Sequence, residues 1–321
     1  MDPDDRLAIP RIRLTFGVTM PALICGSLAF DTITTFPGRF GQQILPDQLH
    51  ILNVSFLVPE LRREFGGCAG NIAYTHHLLG GSPVILAALG SDGANYLSRI
   101  RDWGVDTRHV MTVPDQYTAQ AIIITDTDNN QISAFHPGAM QEAGKIAVPQ
   151  RDDLAIAIVA PDSRDAMWTH AHQLADAKIP FIFDPGQGLP MFDGPELKAM
   201  IERATWVAVN DYEGRMLCDR TGFTLESLSR LSHLQGVIVT LGGQGCDVWI
   251  QGQKHHVPGV SATQVVDPTG CGDAFRGAVL YGIEQGWSLV RSVELANRVG
   301  ALKIACQGGQ NHVIDRQALG L

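Results

Sequence analysis

The sequence predicts a doubly wound α/β fold, with a mostly parallel sheet flanked by helices and a small β-sheet lid outside it. Three observations carry that prediction. Short apolar runs alternate with helix-length amphipathic stretches along most of the 321 residues, as parallel strands buried on both faces require. Glycine-rich acidic segments follow several of the runs, at the sheet edge where open α/β folds bind ligands. Two stretches break the alternation and read as extended chain instead.

The strands expected in the main sheet are Ala22–Leu28, Val84–Leu89, Leu154–Val159, Phe181–Phe183, Trp206–Val209 and Val237–Thr240. Between and after them, helical spacing marks Ala69–Leu79, Ala94–Trp103, Arg164–Ala177, Glu196–Ala204, Asp211–Asp219, Gly272–Gln285 and Leu289–Cys306, the last two parted by Gly286. The exceptions are residues 32–65 and a hairpin within residues 115–136, where Ala119–Thr125 and Gln131–Phe135 flank the turn formers Asp126 to Asn130. These strands are expected to form a subdomain, either a gating lid or an extra sheet. Its exposed edge is a candidate surface for a homodimer.

Composition narrows the function. A formal net charge of -9 with no cluster of Lys and Arg excludes a nucleic-acid-tracking surface but leaves small phosphorylated ligands open. The six cysteines are scattered, with no C-x-x-C pair, and predict reduced thiols in a cytoplasmic protein. The adjacent pairs His76-His77 and His255-His256 fall in helix-like and strand-like stretches and are read as structural, not as metal ligands. No apolar run approaches the ~20 residues of a membrane span. Residues 1–19 lack a signal-peptide pattern and read as a loose leader before one α/β domain over 20–321, with Met20 a possible start.

Four clusters carry chemistry. The first, Asp267-Pro268-Thr269-Gly270-Cys271-Gly272-Asp273, runs into an apolar helix. Small residues there leave N–H groups bare at a helix N-terminus, which suits an anion, and Asp273 stands beside them. A capped turn is the plainer reading of the same residues. The second, Gly66-Gly67-Cys68-Ala69-Gly70-Asn71, enters a helix with an amide that both donates and accepts. The third ends the first strand at Ser27 and Asp31, a carboxylate able to hold two vicinal hydroxyls or to cap a turn. The fourth, Asn210-Asp211-Tyr212-Glu213, suits hydrated Mg²⁺ or a helix N-cap box.

Together these clusters resemble the ribokinase-like (phosphofructokinase B) family of small-molecule kinases, from Ala22 to about Gly309. One family pattern fits Gly66-Gly67, Ala69, Asn71, Ala73, Gly80 and Gly90; another fits Asp267-Pro268, Gly270, Gly272, Asp273 and Gly277-Ala278. No Gly-x-x-x-x-Gly-Lys-[Ser/Thr] loop occurs, so this is not a P-loop enzyme. Cys271 departs from the family's usual alanine, glycine or serine, and exposes the loop to thiol reagents.

The resemblance implies a ribokinase-like fold and phosphoryl transfer from ATP with Mg²⁺. Asp273 is then the general base, with the N–H groups of Gly270, Cys271 and Gly272 around the transferring group. It places ATP near Asn210, Thr240, Gly242, Gly245, Pro268, Thr269, Gly300 and Ala301. It assigns Mg²⁺, through water, to Glu213, and a monovalent cation such as K⁺ to Asp267.

Within the family the chain is similar to bacterial adenosine and nucleoside kinases, on Phe36-Pro37-Gly38-Arg39-Phe40, Leu52–Val58, Ser133–Met140 and Arg276. That likeness assigns the ribose to Ser27, Asp31, Gly67 and Asn71, the stacked base to Phe135 and a polar base contact to Gln187. A second stacking aromatic of some relatives falls at Ala121 here, which loosens the expected preference for adenine. The expected activity is ATP-dependent phosphorylation of the 5′-hydroxyl of adenosine, inosine and guanosine being further candidates. A sugar or sugar-phosphate kinase and a nucleoside-binding regulator without catalysis are the rival readings.

Overall fold

In the computed structural model, which describes residues 20–44 and 53–321, the central strand is β1 (Ala22–Cys25), buried at every residue. It pairs in parallel with β4 (Pro83–Gly90) on one side and β8 (Ile156–Val159) on the other. The remaining main-sheet strands are β5 (Val110–Val113), β9 (Phe181–Phe183), β10 (Trp206–Asn210), β11 (Gly236–Thr240), β12 (Gly245–Ile250) and β13 (Gln253–Pro258). The nine strands run in the order β13-β12-β11-β10-β9-β8-β1-β4-β5. All pair in parallel except β12 with its two neighbours.

The apolar runs are continuous because alternate residues serve two cores. Ala22, Ile24, Ile85 and Ile158 face one cluster with α2 (Cys68–Leu78), α3 (Ala94–Asp102), α8 (Cys271–Glu284) and α9 (Leu289–Ile304). Leu23, Cys25, Val84 and Val159 face the other with α4 (Arg164–Asp176), α5 (Gly194–Ile201), α6 (Asp211–Thr221) and α7 (Leu225–Ser229). Helix α8 is buried at every residue from Ala274 to Glu284, which is why its sequence there is apolar all round except at Arg276 and Glu284.

A second sheet of four strands stands apart, in the order β3-β2-β6-β7: β2 (Ala29–Thr35), β3 (Glu60–Gly66), β6 (Ala119–Thr125) and β7 (Gln131–His136). It contains the hairpin expected from the turn formers. The first strand was expected to run through Leu28 but stops at Cys25. Gly26 and Ser27 donate to Leu86 and Pro161, turning the chain out of one sheet and into the other at Ala29.

Several elements differ from the sequence expectation. The antiparallel hairpin β12–β13 turns at Gln251 and Gly252, both at positive φ, and its outer strand is exposed at five of six positions. Polar edge strands of this kind give no apolar run to read. The aromatic-spaced stretch 54–58 is unpaired chain whose Phe56 packs on Phe36 and on Phe40 of the short helix α1 (Phe40–Gln43). The leader at 1–19 and the 45–52 part of the 32–65 stretch lie outside the described residues. No described helix is long and apolar enough to cross a membrane.

Candidate active site

A cleft of about 650 Å³ opens between the C-terminal edge of the main sheet and the small sheet. The glycine pair at its rim has a steric cause. A Cβ on Gly66 would fall 2.5 Å from the Asp31 carboxylate, and one on Gly67 (φ 83°) would fall 2.6 Å from the Ser27 carbonyl. The pair therefore lets β3 pass beside Asp31 and lets α2 start against the turn after β1, where the Cys68 N–H donates to Ser27 Oγ at 3.1 Å.

Asn71, one turn into α2, donates from Nδ2 to Asp273 Oδ2 at 2.8 Å. Its own Oδ1 accepts from Gln310 Nε2 at 3.1 Å. Gln310 also reaches the Tyr96 hydroxyl at 2.5 Å, which donates to the Gly66 carbonyl at 2.6 Å. Asp273 is thus held at one end of a chain of bonds that returns to the glycine pair. Burial pushes its carboxyl up and Asp184 adds to that, against the Asn71 bond and the Arg276 charge.

Asp31 faces the same space from β2. Burial, then the charges of Asp273, Asp267 and Glu64, raise its carboxyl to about 6. Behind both acids, Arg276 grips Asp184 in a buried bidentate pair, Nε to Oδ2 at 3.0 Å and Nη2 to Oδ1 at 3.1 Å. Its Nη1 is left toward Gly272, 3.5 Å from the place of a Cβ there.

The loop before α8 ends in Gly270 at φ 75°, where a Cβ would meet Gly309 at 2.9 Å. The Gly270 and Gly272 N–H groups have no intramolecular partner among the described residues. The Cys271 N–H is spent on the Pro268 carbonyl at 3.1 Å. The expected three donors are therefore two, because the turn uses one of them. Cys271 is also not an activated thiol, since burial pushes it up against the opposing charge of Lys303; the loop is not primed for thiol reagents.

Of the other expected residues, Ser27, Gly67, Phe135, Gln187, Asn210, Glu213, Thr240, Gly242 and Thr269 line the cleft with Asp31, Asn71, Gly270, Gly272 and Asp273. Gly245, Pro268, Cys271, Gly300, Ala301 and Asp267 do not line it. Gly300 and Ala301 sit on α9, where a Cβ on Gly300 would meet open space. Phe135 lies opposite Ala121 across β6 and β7, and both line the cleft, so the aromatic face has a methyl beside it.

The Asn210 box caps α6: Asn210 Oδ1 accepts from the Glu213 N–H at 2.7 Å and Glu213 Oε2 from the Asn210 N–H at 2.8 Å. The cap reading is thus correct, and Oε1 of Glu213 remains outside the box. Burial raises the Glu213 carboxyl. Among the described residues no three His, Cys, Asp or Glu side chains converge at metal-ligand spacing. That donor set suits Mg²⁺ that keeps its waters and shares a phosphate. The Asp267 oxygens expected to hold a monovalent ion are each already engaged. Oδ1 accepts from Thr269, Oδ2 from Gly308 and the carbonyl from the Lys303 ammonium.

Arg276, Gln310 and Lys303 acquire places here that the sequence reading did not give them. Arg276 had a signal, since it lies one turn after Asp273 and so shares its helix face. Gln310 and Lys303 had none, because their partners lie 239 and 36 residues away.

An open α/β sheet with a small sheet beside it, and an acid and bare N–H groups at a helix start facing Ser27 and Asp31, is the arrangement of a ribokinase-like phosphotransferase. Residues 43–316 match the pfkB family of carbohydrate kinases, and the chain belongs to that family. It is 49% identical to the nucleoside kinase of Burkholderia thailandensis solved with inosine, with 92% of this chain and 94% of that one covered at a TM-score of 0.82. The complex of that enzyme with ADP-inosine is similar at 50% identity, 92% of each chain and a TM-score of 0.80. The nucleoside kinase of Methanocaldococcus jannaschii is 26% identical over 267 residues, 81% of this chain and 86% of that protein.

Proposed function

We propose that this chain is an ATP-dependent nucleoside kinase that phosphorylates the 5′-hydroxyl of adenosine and of other purine nucleosides such as inosine and guanosine. The observation that carries this reading is the placing of Asp273, fixed by Asn71 at 2.8 Å, in one cleft with Asp31 and the bare N–H groups of Gly270 and Gly272. A base, an acceptor for hydroxyls and an anion hole are the parts that phosphoryl transfer to an alcohol asks of a protein. The bound nucleosides of the Burkholderia thailandensis enzyme point the same way.

In this reading Asp31 accepts from the ribose 2′- and 3′-hydroxyls, with Ser27, Gly67 and Asn71 shaping the sugar site. Phe135 stacks on the base and Gln187 offers it a polar contact. A stacked base is worth roughly 1–3 kcal/mol, and a sugar alone would leave that aromatic face unused. Because Ala121 replaces a second aromatic wall, the base is gripped on one face and adenine is not the only one accepted.

The 5′-hydroxyl oxygen attacks the γ-phosphorus while its proton passes to Asp273. The bond from the γ-phosphorus to the β–γ bridging oxygen breaks, and ADP leaves with the electron pair. The N–H groups of Gly270 and Gly272 and the free Nη1 of Arg276 face the nonbridging oxygens. Asn210, Thr240, Gly242 and Thr269 line the ATP side of the cleft. Glu213 would hold, through water, the Mg²⁺ that accompanies ATP, which would supply neutralisation of phosphate charge there. The small sheet acts as a lid that excludes water from the bound pair. Its free strand β7, exposed at all six residues, offers a surface to a second copy of the chain.

The test is a kinase assay with ATP and Mg²⁺ over adenosine, inosine, guanosine, cytidine and ribose. Purine nucleosides are expected to give the highest kcat/KM, with 5′-monophosphates as products. Faster turnover of ribose or a sugar phosphate would replace this reading with a sugar kinase, and no ATP consumption at all would make the chain a binding protein.

A further inference from the structure

Lys303 is fully buried on the last turn of α9, where a lone ammonium is costly unless its protons are held. Its Nζ donates to two main-chain carbonyls, Asp267 at 2.8 Å and Cys306 at 3.1 Å, and it makes no ion pair with a carboxylate among the described residues. Both acceptors belong to the surroundings of the loop before α8. Asp267 begins that loop, and its carboxylate takes the N–H groups of Thr269 and Gly308. The N–H groups of Val266 and Asp267 donate to the Ile304 carbonyl. The irregular chain 266–269 and the end of α9 with the chain after it, 303–308, are thereby joined around one buried positive charge. Cys271 Sγ lies 3.9 Å from the same Asp267 carbonyl.

Carbonyl oxygens converging on one cation beside a phosphate loop are the environment that a monovalent metal ion would also seek. Here the site is already filled by the side chain. We propose that the Lys303 ammonium is the built-in cation of the 267–273 loop, so that the kinase needs no K⁺ or other monovalent ion. It acts as a positioning residue. By fixing the Asp267 carbonyl it sets the turn that leaves the Gly270 and Gly272 N–H groups bare, and it adds a positive charge behind them. The inference rests on the reading of this loop as the phosphate site.

The experiment compares the wild type with Lys303→Ala, which leaves room for an ion, and Lys303→Met, which fills the space without charge. Kinetics are run in KCl, NH₄Cl or tetramethylammonium chloride at constant ionic strength. Wild-type kcat and KM for ATP are expected to agree within about twofold in all three salts. Lys303→Ala should lose tenfold or more in kcat/KM for ATP, recover several-fold in K⁺ or NH₄⁺ but not in tetramethylammonium, and keep its affinity for nucleoside. Lys303→Met should show the loss without the recovery. A second readout needs no turnover: the melting temperature of Lys303→Ala should rise with KCl but not with tetramethylammonium chloride, and that of the wild type should show no such difference. If Lys303→Met does not fold, the wild type and Lys303→Ala decide the matter alone. Several-fold activation of the wild type by K⁺, or a Lys303→Ala protein whose activity and melting no small cation restores, would overturn the proposal. Absence of kinase activity in the wild type with the melting pattern intact would instead remove the function proposed above and leave the built-in cation standing.

Discussion

Asp31 shows how a proposed binding residue is set against its surroundings. Burial and then three neighbouring acids, Asp273, Asp267 and Glu64, lift its carboxyl to about 6, so the ionised form that would accept ribose hydroxyls in the proposed reading predominates above that pH. Because kcat/KM reports the free enzyme, its value for adenosine is expected to fall at least tenfold per unit below pH 6, and an Asp31→Asn protein should keep only the part of that fall due to protonation of Asp273, whose carboxyl burial also raises. The stability effect has the matching sign. A carboxyl raised above its unfolded value destabilises the fold where it is ionised, so Asp31→Asn should melt higher than wild type above pH 6. That advantage should vanish as the pH drops below the unfolded value near 4. A melting series from pH 4 to 8 checks it. At this scale Asp31, Asn71 and Asp273 were legible because their residue types follow a strand or open a helix. Gln310, which holds Asn71, was not: its contact is made across the whole chain, and an isolated glutamine carries no pattern.

The geometry of the site depends on two helices lying close together. Gly277 on α8 faces the backbone of α2, and a Cβ there would sit 2.7 Å from the Ile72 carbonyl and 3.0 Å from Thr75. About two turns further along α8, the buried Glu284 side chain meets His76 of α2 at 2.6 Å and ties the same two helices. Asn71 and Asp273 ride on these helices, so their bond is set by that spacing. Gly277→Ala is expected to push α2 and α8 apart, costing roughly 1–3 kcal/mol as overpacked cores do. It should also lower kcat more than it raises the nucleoside KM. Urea unfolding and steady-state kinetics measure the two effects. The core strands and α8 could be read from the sequence because burial on both sides forces unbroken apolar runs. The outer strand β13 could not, since an exposed antiparallel edge carries His255, His256 and Lys254 where a core strand would carry valine or isoleucine.

Across the whole molecule, the cleft is made by two sheets joined at its rim, where Tyr96 of the main body holds Gly66 and packs on Phe30 and Phe65. Arg63 of β3 reaches Asp92 at 2.6 Å, and Asn311 reaches Glu64 at 3.1 Å. A nucleoside would touch Asp31 and Phe135 on the small sheet and Asp273 on the main body at once, so it would stabilise the folded protein as a bridge. At about 100 times its Kd it should add about 2.7 kcal/mol, seen as a rise of several degrees in melting temperature that Asp31→Ala abolishes. The central claim is that Asp273 takes the proton of the 5′-hydroxyl. The most direct test is the turnover of Asp273→Asn alongside its nucleoside affinity by calorimetry. The asparagine keeps the size and a bond to Asn71 but cannot accept the proton, so kcat should fall by roughly 10²–10⁴-fold with the nucleoside Kd changed little. A variant that still turned over at near the wild-type rate would contradict the account.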